Sequence, residues 1–233
     1  MSQPKILMLL TSHGKLGDTG KQTGFWLEEL AVPYLELSRA GAQVDLASPA
    51  GGRPPADPES EKSDHPAVKE FLADATATGK LADTIRLDDA DTSKLASSYD
   101  AVLVCGGHGV MWDLAESPAV AKLLSKTYKD GRIVAAVCHG PAALVQATKP
   151  GGEPLVQGHR VAGFSNEEES AANLDGIMPF LLESRLRELG GKYENGPTWQ
   201  PFAVRDGNLV TGQNPASSAA VAREVLAALA ARA

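Results

Sequence analysis

Residues 135–144, AAVCHGPAAL, put a cysteine and a histidine side by side at the end of an apolar run. Cys138 supplies the most nucleophilic type of side chain, and His139 supplies the commonest proton carrier. A glycine and a proline follow at once. This order predicts a nucleophile elbow, a tight strand–turn–helix that exposes one side chain where the helix begins. Because a helix N-terminus favours the thiolate, we expect a lowered thiol pKa at Cys138.

The competing interpretation is that Cys138 is a small buried hydrophobe at the end of a core strand. The adjacent His139 and the GGHG segment at 106–109 favour the nucleophile. Cys105, inside the apolar run AVLVC, is predicted to be core packing. The two cysteines could form one disulfide, but in a reducing compartment we expect two free thiols.

A catalytic His139 needs a carboxylate to hold its tautomer. The SNEEES segment offers Glu167, Glu168 and Glu169, although acidic residues also occur there simply because a helix begins. At most one of the three is expected to be functional.

The WLEEL segment adds a second pair of acids, Glu28 and Glu29, beside Trp26. One of the two, facing the thiol, could donate or accept a proton if burial raises its pKa. The other is expected on the exposed face of an amphipathic helix.

Backbone N–H groups near the elbow are the expected donors to a developing oxyanion. We assign this role to His139 and to the glycines Gly106 and Gly107. His108 is predicted either to bind substrate or to cap the next turn.

Apolar strands alternate with helices, which predicts a parallel α/β sandwich with its ligands beyond the carboxyl ends of the strands. Pro33 interrupts the first helical pattern, so either the helix proper begins near Pro33 or a short turn precedes it. The predicted strands cover 5–10, 43–49, 101–105, 132–140 and 160–166, with a hairpin over 202–212; the predicted helices cover 25–41, 66–77, 91–97, 117–131, 141–148, 167–174, 180–190 and 215–233.

Length and charge narrow the class of protein. The 233 residues are expected to form a single domain, 1–233, with a surface insertion around 50–63 that is rich in proline, glycine and charge. The net charge of -7 and the lack of a basic stripe argue against nucleic acid and membrane surfaces as partners. No apolar run is long enough for a signal peptide or a membrane span, so a cytoplasmic protein is expected. No structural metal site is expected.

The segments AAVCHGP, GGHG and TGFWLEELAVPY resemble the ThiJ/PfpI superfamily in sequence, order and spacing, and are most similar to its heat-shock-type branch. The resemblance implies a flavodoxin-like three-layer sandwich with a mostly parallel sheet, often as a homodimer. It implies Cys138 as nucleophile and His139 as its partner. It implies that Glu169, six residues beyond Gly163, is the carboxylate that orients His139, and it leaves Glu168 as the alternative. It also implies that Glu29, four residues before Pro33, is the acid that faces the thiol, and not Glu28.

The same resemblance implies a glyoxalase III, or D-lactate dehydratase, that converts methylglyoxal to lactate through a cysteine hemithioacetal. It implies a small 2-oxoaldehyde as substrate, with no metal and no organic cofactor. We expect Gly107, His108 and Trp26 to contact this substrate. Which of His139 and Glu29 is the base stays open.

Two other classes of function remain as alternatives. One is a stress-induced holding chaperone for unfolded clients, or a redox sensor that uses the thiol. The other is a cysteine peptidase or esterase. Glutamine amidotransferase chemistry is set aside, because the one histidine after the elbow pair, His159, has no glutamate two residues on.

Overall fold

The computed structural model describes residues 3–232 and is built around a mostly parallel sheet of seven strands. A separate sheet of two short parallel strands lies at its side. In chain order the strands are β1 (Lys5–Leu9), β2 (Gln43–Ser48), β3 (Ile85–Arg86), β4 (Ala101–Val104), β5 (Ile133–Val137), β6 (Arg160–Val161), β7 (Lys192–Tyr193), β8 (Ala203–Asp206) and β9 (Leu209–Gly212).

The large sheet has the strand order β3-β2-β1-β4-β5-β9-β8, and β8 at its edge is the one antiparallel strand. Helices cover both faces, with α1 packed on α8 and α4 packed on α5. This arrangement confirms the predicted flavodoxin-like three-layer sandwich. The helices are α1 (Leu27–Arg39), α2 (Pro66–Ala73), α3 (Ala75–Ala82), α4 (Thr92–Ser98), α5 (Pro118–Lys129), α6 (Asn166–Ala171), α7 (Leu182–Glu188) and α8 (Ser218–Ala230).

The central strands are apolar throughout because helices shield both of their faces. Every residue of β4 and of β5 is buried. Since neighbouring strands here run parallel, β1, β4 and β5 all end at the same edge of the sheet. The segments that follow these strands therefore meet, and Cys138 is the first residue after β5.

The hairpin predicted over 202–212 is confirmed as β8 and β9, joined through Gly207 and Asn208. The last predicted helix begins differently: Asn214 caps a short 3₁₀ turn, Pro215–Ser217, and α8 follows. Its predicted final residue, Ala233, lies outside the described residues.

Two other predicted elements were wrong in extent, and two strands were not predicted. The helix predicted over 66–77 is two helices, because Asp74 ends α2 and its side chain then accepts the N–H groups that begin α3. The strand predicted over 160–166 contains only the two residues of β6. The two-residue strands β3 and β7 have no counterpart in the sequence prediction.

Helix α1 begins at Leu27 and continues through Pro33, so the start predicted near Pro33 was wrong. The segment after the elbow cysteine is a 3₁₀ helix, Gly140–Leu144, and not the α-helix predicted over 141–148. Among residues 3–232, no helix combines the length and the apolar character that a bilayer crossing requires.

Candidate active site

Cys138 occupies a strained position between β5 and the 3₁₀ turn. Its φ of 60° lies in the left-handed region, which residues other than glycine seldom adopt. Two backbone hydrogen bonds hold it there: its N–H donates to the carbonyl of Gly212 at 3.0 Å, and its carbonyl accepts from the N–H of Phe164 at 2.9 Å. The elbow is thus fixed by segments from two other parts of the chain.

A line of three side chains runs from the thiol into the protein. The Sγ atom of Cys138 lies 3.4 Å from Nδ1 of His139, and Nε2 of His139 lies 2.7 Å from Oε2 of Glu169. An ionised carboxylate accepts hydrogen bonds but donates none, so Nε2 carries the hydrogen and Nδ1 presents a lone pair to the thiol. The geometry is that of a base, oriented by a carboxylate, beside a nucleophile.

Electrostatics favour the same assignment. Burial lowers the pKa of His139, and the charge of the neighbouring His108 lowers it further. Burial alone would raise the pKa of Glu169, but the charge of His139 and the hydrogen bonds from both histidines outweigh it and lower that pKa to about 2. At neutral pH the pair is therefore a neutral imidazole beside a carboxylate, which is the state a general base requires.

Glu29 approaches the thiol from the first turn of α1 and is fully buried. Its Oε2 accepts the N–H of Gly106 at 2.8 Å, whereas Oε1 has no hydrogen-bond partner within the described chain. Burial raises the pKa of Glu29 to about 8, although the nearby thiol of Cys138 and the N–H of Gly106 oppose the shift. At neutral pH this carboxyl group holds a proton beside the sulfur.

The expected depression of the Cys138 pKa was wrong. Burial raises the pKa of the thiol, and the nearby Glu29 raises it further, while the backbone N–H of His139 offsets only part of the shift. The predicted depression depends on an α-helix after the elbow, and the structure has a single 3₁₀ stretch there. The resting thiol is consequently protonated, and ionisation requires transfer of its proton to His139.

The two glycines after β4 have separate tasks. The N–H of Gly106 is committed to Glu29, so it is not the oxyanion donor that the sequence suggested. A Cβ on Gly106 would lie 2.4 Å from Oε2 of Glu29 and 2.8 Å from the nitrogen of His139, so only glycine fits. Gly107 has a φ of 100°, and its N–H makes no hydrogen bond within residues 3–232, which leaves it free for a ligand.

His108 shares the carboxylate of Glu169. Its Nε2 lies 3.2 Å from Oε1 of Glu169, and its ring centroid lies 4.3 Å from that of His139. A cleft of about 630 Å³ opens beside His108 and Trp26. The backbone of Trp26 joins the site as well, since its N–H donates to the carbonyl of Gly106 at 3.1 Å.

The three acids of SNEEES have three different environments. Glu167 is exposed, and Glu169 contacts both histidines. Glu168 is buried and makes a capping box with Ser165. Its carboxylate also accepts hydrogen bonds from the backbone N–H of Trp199 and from the side chains of Gln213 and Asn214. Glu168 therefore anchors the surrounding loops.

Phe164 is a site residue that the sequence analysis did not single out. Its ring packs against the imidazole of His139 at 4.4 Å between centroids, and against Trp199 at 5.6 Å. Phe164 lies one residue before the N-cap of α6, and this position was the one feature of the sequence that could have identified it as a site residue. Cys105 is buried in the core as predicted, and both cysteines are free thiols.

The remaining histidines lie outside this constellation. His13 stacks on Trp112, His65 caps α2, and His159 contacts Tyr128. Asp113 accepts hydrogen bonds from the hydroxyl of Thr11 and from the backbone N–H of Ser12, so it supports the loop after β1.

Comparison with known proteins gives a family and close structural relatives. Residues 22–228 match the model of the DJ-1/PfpI family. The glutathione-independent glyoxalase HSP31 of Saccharomyces cerevisiae is 29% identical, with 98% of this chain and 99% of that protein covered. The protein/nucleic acid deglycase HchA of Pseudomonas aeruginosa is 31% identical, with 92% and 77% covered. The crystal structure of glyoxalase III from Candida albicans superposes with a TM-score of 0.88 at 29% identity, with 97% of each chain covered.

Proposed function

Since the chain belongs to the DJ-1/PfpI family, we propose that it is a glutathione-independent glyoxalase that converts methylglyoxal to lactate with Cys138 as its nucleophile. The observation that carries this proposal is Glu29. A buried, protonated carboxyl group with one unpartnered oxygen, set against a thiol, suits a reaction that moves a proton between adjacent carbons.

In the first step His139 takes the thiol proton through Nδ1, 3.4 Å from the sulfur, and the thiolate attacks the aldehyde carbon. The carbonyl oxygen becomes an oxyanion, which takes the proton from the imidazolium of His139 and becomes the hydroxyl of a hemithioacetal, so His139 is neutral again. The free N–H of Gly107 is the donor we assign to that oxyanion. Glu169 stabilises the imidazolium through its hydrogen bond to Nε2.

The second step moves one proton within the bound substrate. A base removes the hydrogen from C1 and leaves an enediolate. An acid then donates a proton to C2, and the hydroxyl proton of C1 passes to the C2 oxygen, which yields a lactoyl thioester on Cys138. His139 and Glu29 flank the sulfur from different elements and are the two groups available for these transfers. The protonated state of Glu29 makes it the donor to C2, with His139 as the base at C1.

Hydrolysis completes the cycle. The proton taken up by His139 first passes to the Glu29 carboxylate, which restores both groups. Water, deprotonated by the neutral His139, then attacks the thioester carbonyl, the carbon–sulfur bond breaks, and the Cys138 thiolate takes that proton from His139 as lactic acid departs. The sum is methylglyoxal plus water giving lactate, so the reaction needs no external oxidant or reductant.

A cysteine peptidase or esterase would use the same thiol, imidazole and carboxylate. It has no task for a protonated Glu29, because hydrolysis of an acyl group requires no transfer between adjacent carbons. For this reason the glyoxalase reaction is the better match to the site.

The test is a side-by-side assay of purified protein, without glutathione, against methylglyoxal, a peptide and an ester. We expect methylglyoxal to disappear with stoichiometric formation of lactate, followed by proton NMR. Release of peptide or ester products at a higher kcat/KM, with no lactate, would contradict the proposal.

A small molecule is the substrate, and the 2-oxoaldehyde class is the finer proposal. Assembly as a homodimer, binding of unfolded clients and a cytoplasmic location stay predictions from the family resemblance. Substrate contacts by Trp26 and His108 belong to the same proposal, supported by the cleft between them.

A further inference from the structure

Three side chains that ligate metals in other proteins converge at one edge of the site. Atoms of His108, His139 and Glu169, one from each, all lie within 4.8 Å of one another. We propose that this His108–Glu169–His139 cluster is an inhibitory site for a borderline divalent cation such as Zn²⁺. The inhibitory part of the proposal rests on the proposed function, whereas the binding part does not.

The donor set suits zinc in kind and in number. Zinc sites commonly combine imidazole nitrogens with carboxylate oxygens, and open sites have three protein ligands plus a water. Magnesium and calcium prefer oxygen ligands alone, so two imidazoles disfavour them. The cluster is therefore selective for zinc and its transition-metal neighbours.

The spacing of the donors also fits. Nε2 of His108 lies 3.2 Å from Oε1 of Glu169, and Nε2 of His139 lies 2.7 Å from Oε2. With metal–ligand bonds of about 2.0–2.1 Å in a tetrahedral site, neighbouring donor atoms stand roughly 3.3 Å apart. One donor atom from each of the three side chains lies within 4.8 Å of the other two, so the donors must draw together by up to about 1.5 Å to reach this spacing.

The cluster is rigid on one side and accessible on the other. His139 and Glu169 are buried, and the ring of His139 is packed against Phe164. The side chain of His108 is 14% exposed and borders the cleft beside Trp26. A cation can enter through this cleft and meet donors that are already oriented.

Metal binding and catalysis require opposite tautomers of His139. Catalysis needs the hydrogen on Nε2, donated to Glu169, and a bare Nδ1 facing the sulfur. A metal on Nε2 moves that hydrogen to Nδ1, where the sulfur of Cys138 becomes its acceptor. Nδ1 can then no longer take the thiol proton, and Glu169 no longer orients the base. The bound cation is thus an inhibitor and not a cofactor.

Binding is tested by isothermal titration of chelator-treated protein with Zn²⁺. We expect one equivalent to bind to wild type, and His108→Ala and Glu169→Gln each to weaken binding on the order of 100-fold, because each removes a direct ligand. The matched control His65→Ala removes an exposed histidine and should bind like wild type. Thermal melting of each metal-free variant shows that it is folded. No stoichiometric binding to wild type, or equal binding by His108→Ala, would overturn the proposal.

A measurement on the wild-type chain needs no variant and no turnover. Nitrogen NMR of ¹⁵N-histidine-labelled protein should show His139 protonated at Nε2 without metal, and at Nδ1 with Zn²⁺ bound. Coordination through Nδ1, together with loss of binding in Cys138→Ala, would place the metal on the thiol side and refute the cluster.

The activity arm follows methylglyoxal turnover during the same titration. Turnover should fall in proportion to occupancy and return on addition of EDTA, and full turnover at full occupancy would refute inhibition. If the protein did not turn over methylglyoxal at all, the proposed function would fail. The NMR measurement would then show, independently of turnover, whether the bound cation moves the hydrogen of His139 from Nε2 to Nδ1.

Discussion

Two adjacent glutamates illustrate how position alone separates chemistry from support. Glu168 and Glu169 are successive residues of α6, so their side chains leave the helix about 100° apart. Glu169 is thereby directed at the histidines and Glu168 at a group of amide and hydroxyl donors. The sequence offered no basis for choosing between them beyond the family resemblance.

The pair provides a matched test. Glu169→Gln should lower kcat/KM by about 10³–10⁴-fold, because an amide no longer enforces the reactive tautomer of His139. Glu168→Gln should instead lower the free energy of unfolding by about 2–4 kcal/mol. The NH₂ group of the glutamine can only donate, so it would face hydrogen-bond donors that bind the carboxylate in the wild type. Urea denaturation and steady-state kinetics distinguish the two effects. Equal losses of activity in two fully folded variants would refute the assignment of Glu169 to His139.

The ends of the strands position the catalytic groups through very close backbone contacts. Gly106 follows β4 by two residues and touches Glu29, Val137 and His139 at once. A side chain of any size would push α1 and the elbow apart, so the distance between the carboxyl group and the thiol depends on this glycine.

Gly106→Ala should therefore reduce kcat/KM at least on the order of 100-fold, because even a small displacement of reacting groups is costly. The control is Gly79→Ala, at an exposed position of α3 where a Cβ would meet nothing within 4 Å. That variant should keep full activity and gain about 0.5–1 kcal/mol from the higher helix propensity of alanine. Normal kinetics in Gly106→Ala would show that the close contact does not position Glu29.

Elements differ in how well the sequence predicts them. The buried strands β1, β4 and β5 stand out because both faces are covered and the apolar runs are unbroken. The division of 66–77 into two helices depends on a side chain, Asp74, that caps locally, and no periodicity reports it. The same holds for the 3₁₀ turn after Cys138, whose geometry is set by contacts with Gly212 and Phe164.

For the molecule as a whole, the buried carboxyl group of Glu29 binds a proton at neutral pH that it does not bind in the unfolded chain. Glu29 has a pKa of about 8 in the folded state and about 4.3 when exposed in an unfolded chain. Between these values the folded protein binds one proton more than the unfolded protein, so its stability decreases as the pH rises. Above pH 8 both states have lost the proton and the slope ends.

Comparison with Glu29→Gln isolates this contribution. Between pH 5 and pH 8 the unfolding free energy of wild type should fall relative to the variant by about 1.4 kcal/mol per pH unit. Urea denaturation across that range measures it, and Glu28→Gln, at a half-buried neighbour, should retain the wild-type slope. A difference between wild type and Glu29→Gln that does not change with pH would show that Glu29 is ionised in the folded protein.

The whole site could be predicted only in part from the chain. The adjacency of Cys138 and His139 was visible as a motif, and the parallel sheet predicted that the segments after β1, β4 and β5 would meet. The sharing of Glu169 by two histidines, and the raised pKa of the thiol, depend on burial and on distances between remote segments. No local pattern encodes those quantities.

The central claim is that Cys138 is the nucleophile of a glyoxalase reaction, and one kinetic comparison tests it. Lactate formation from methylglyoxal should be lost in Cys138→Ala and retained within about twofold in Cys105→Ala, which removes the other buried thiol from the core. Circular dichroism of both variants confirms folding. Full lactate production by a folded Cys138→Ala variant would contradict the mechanism.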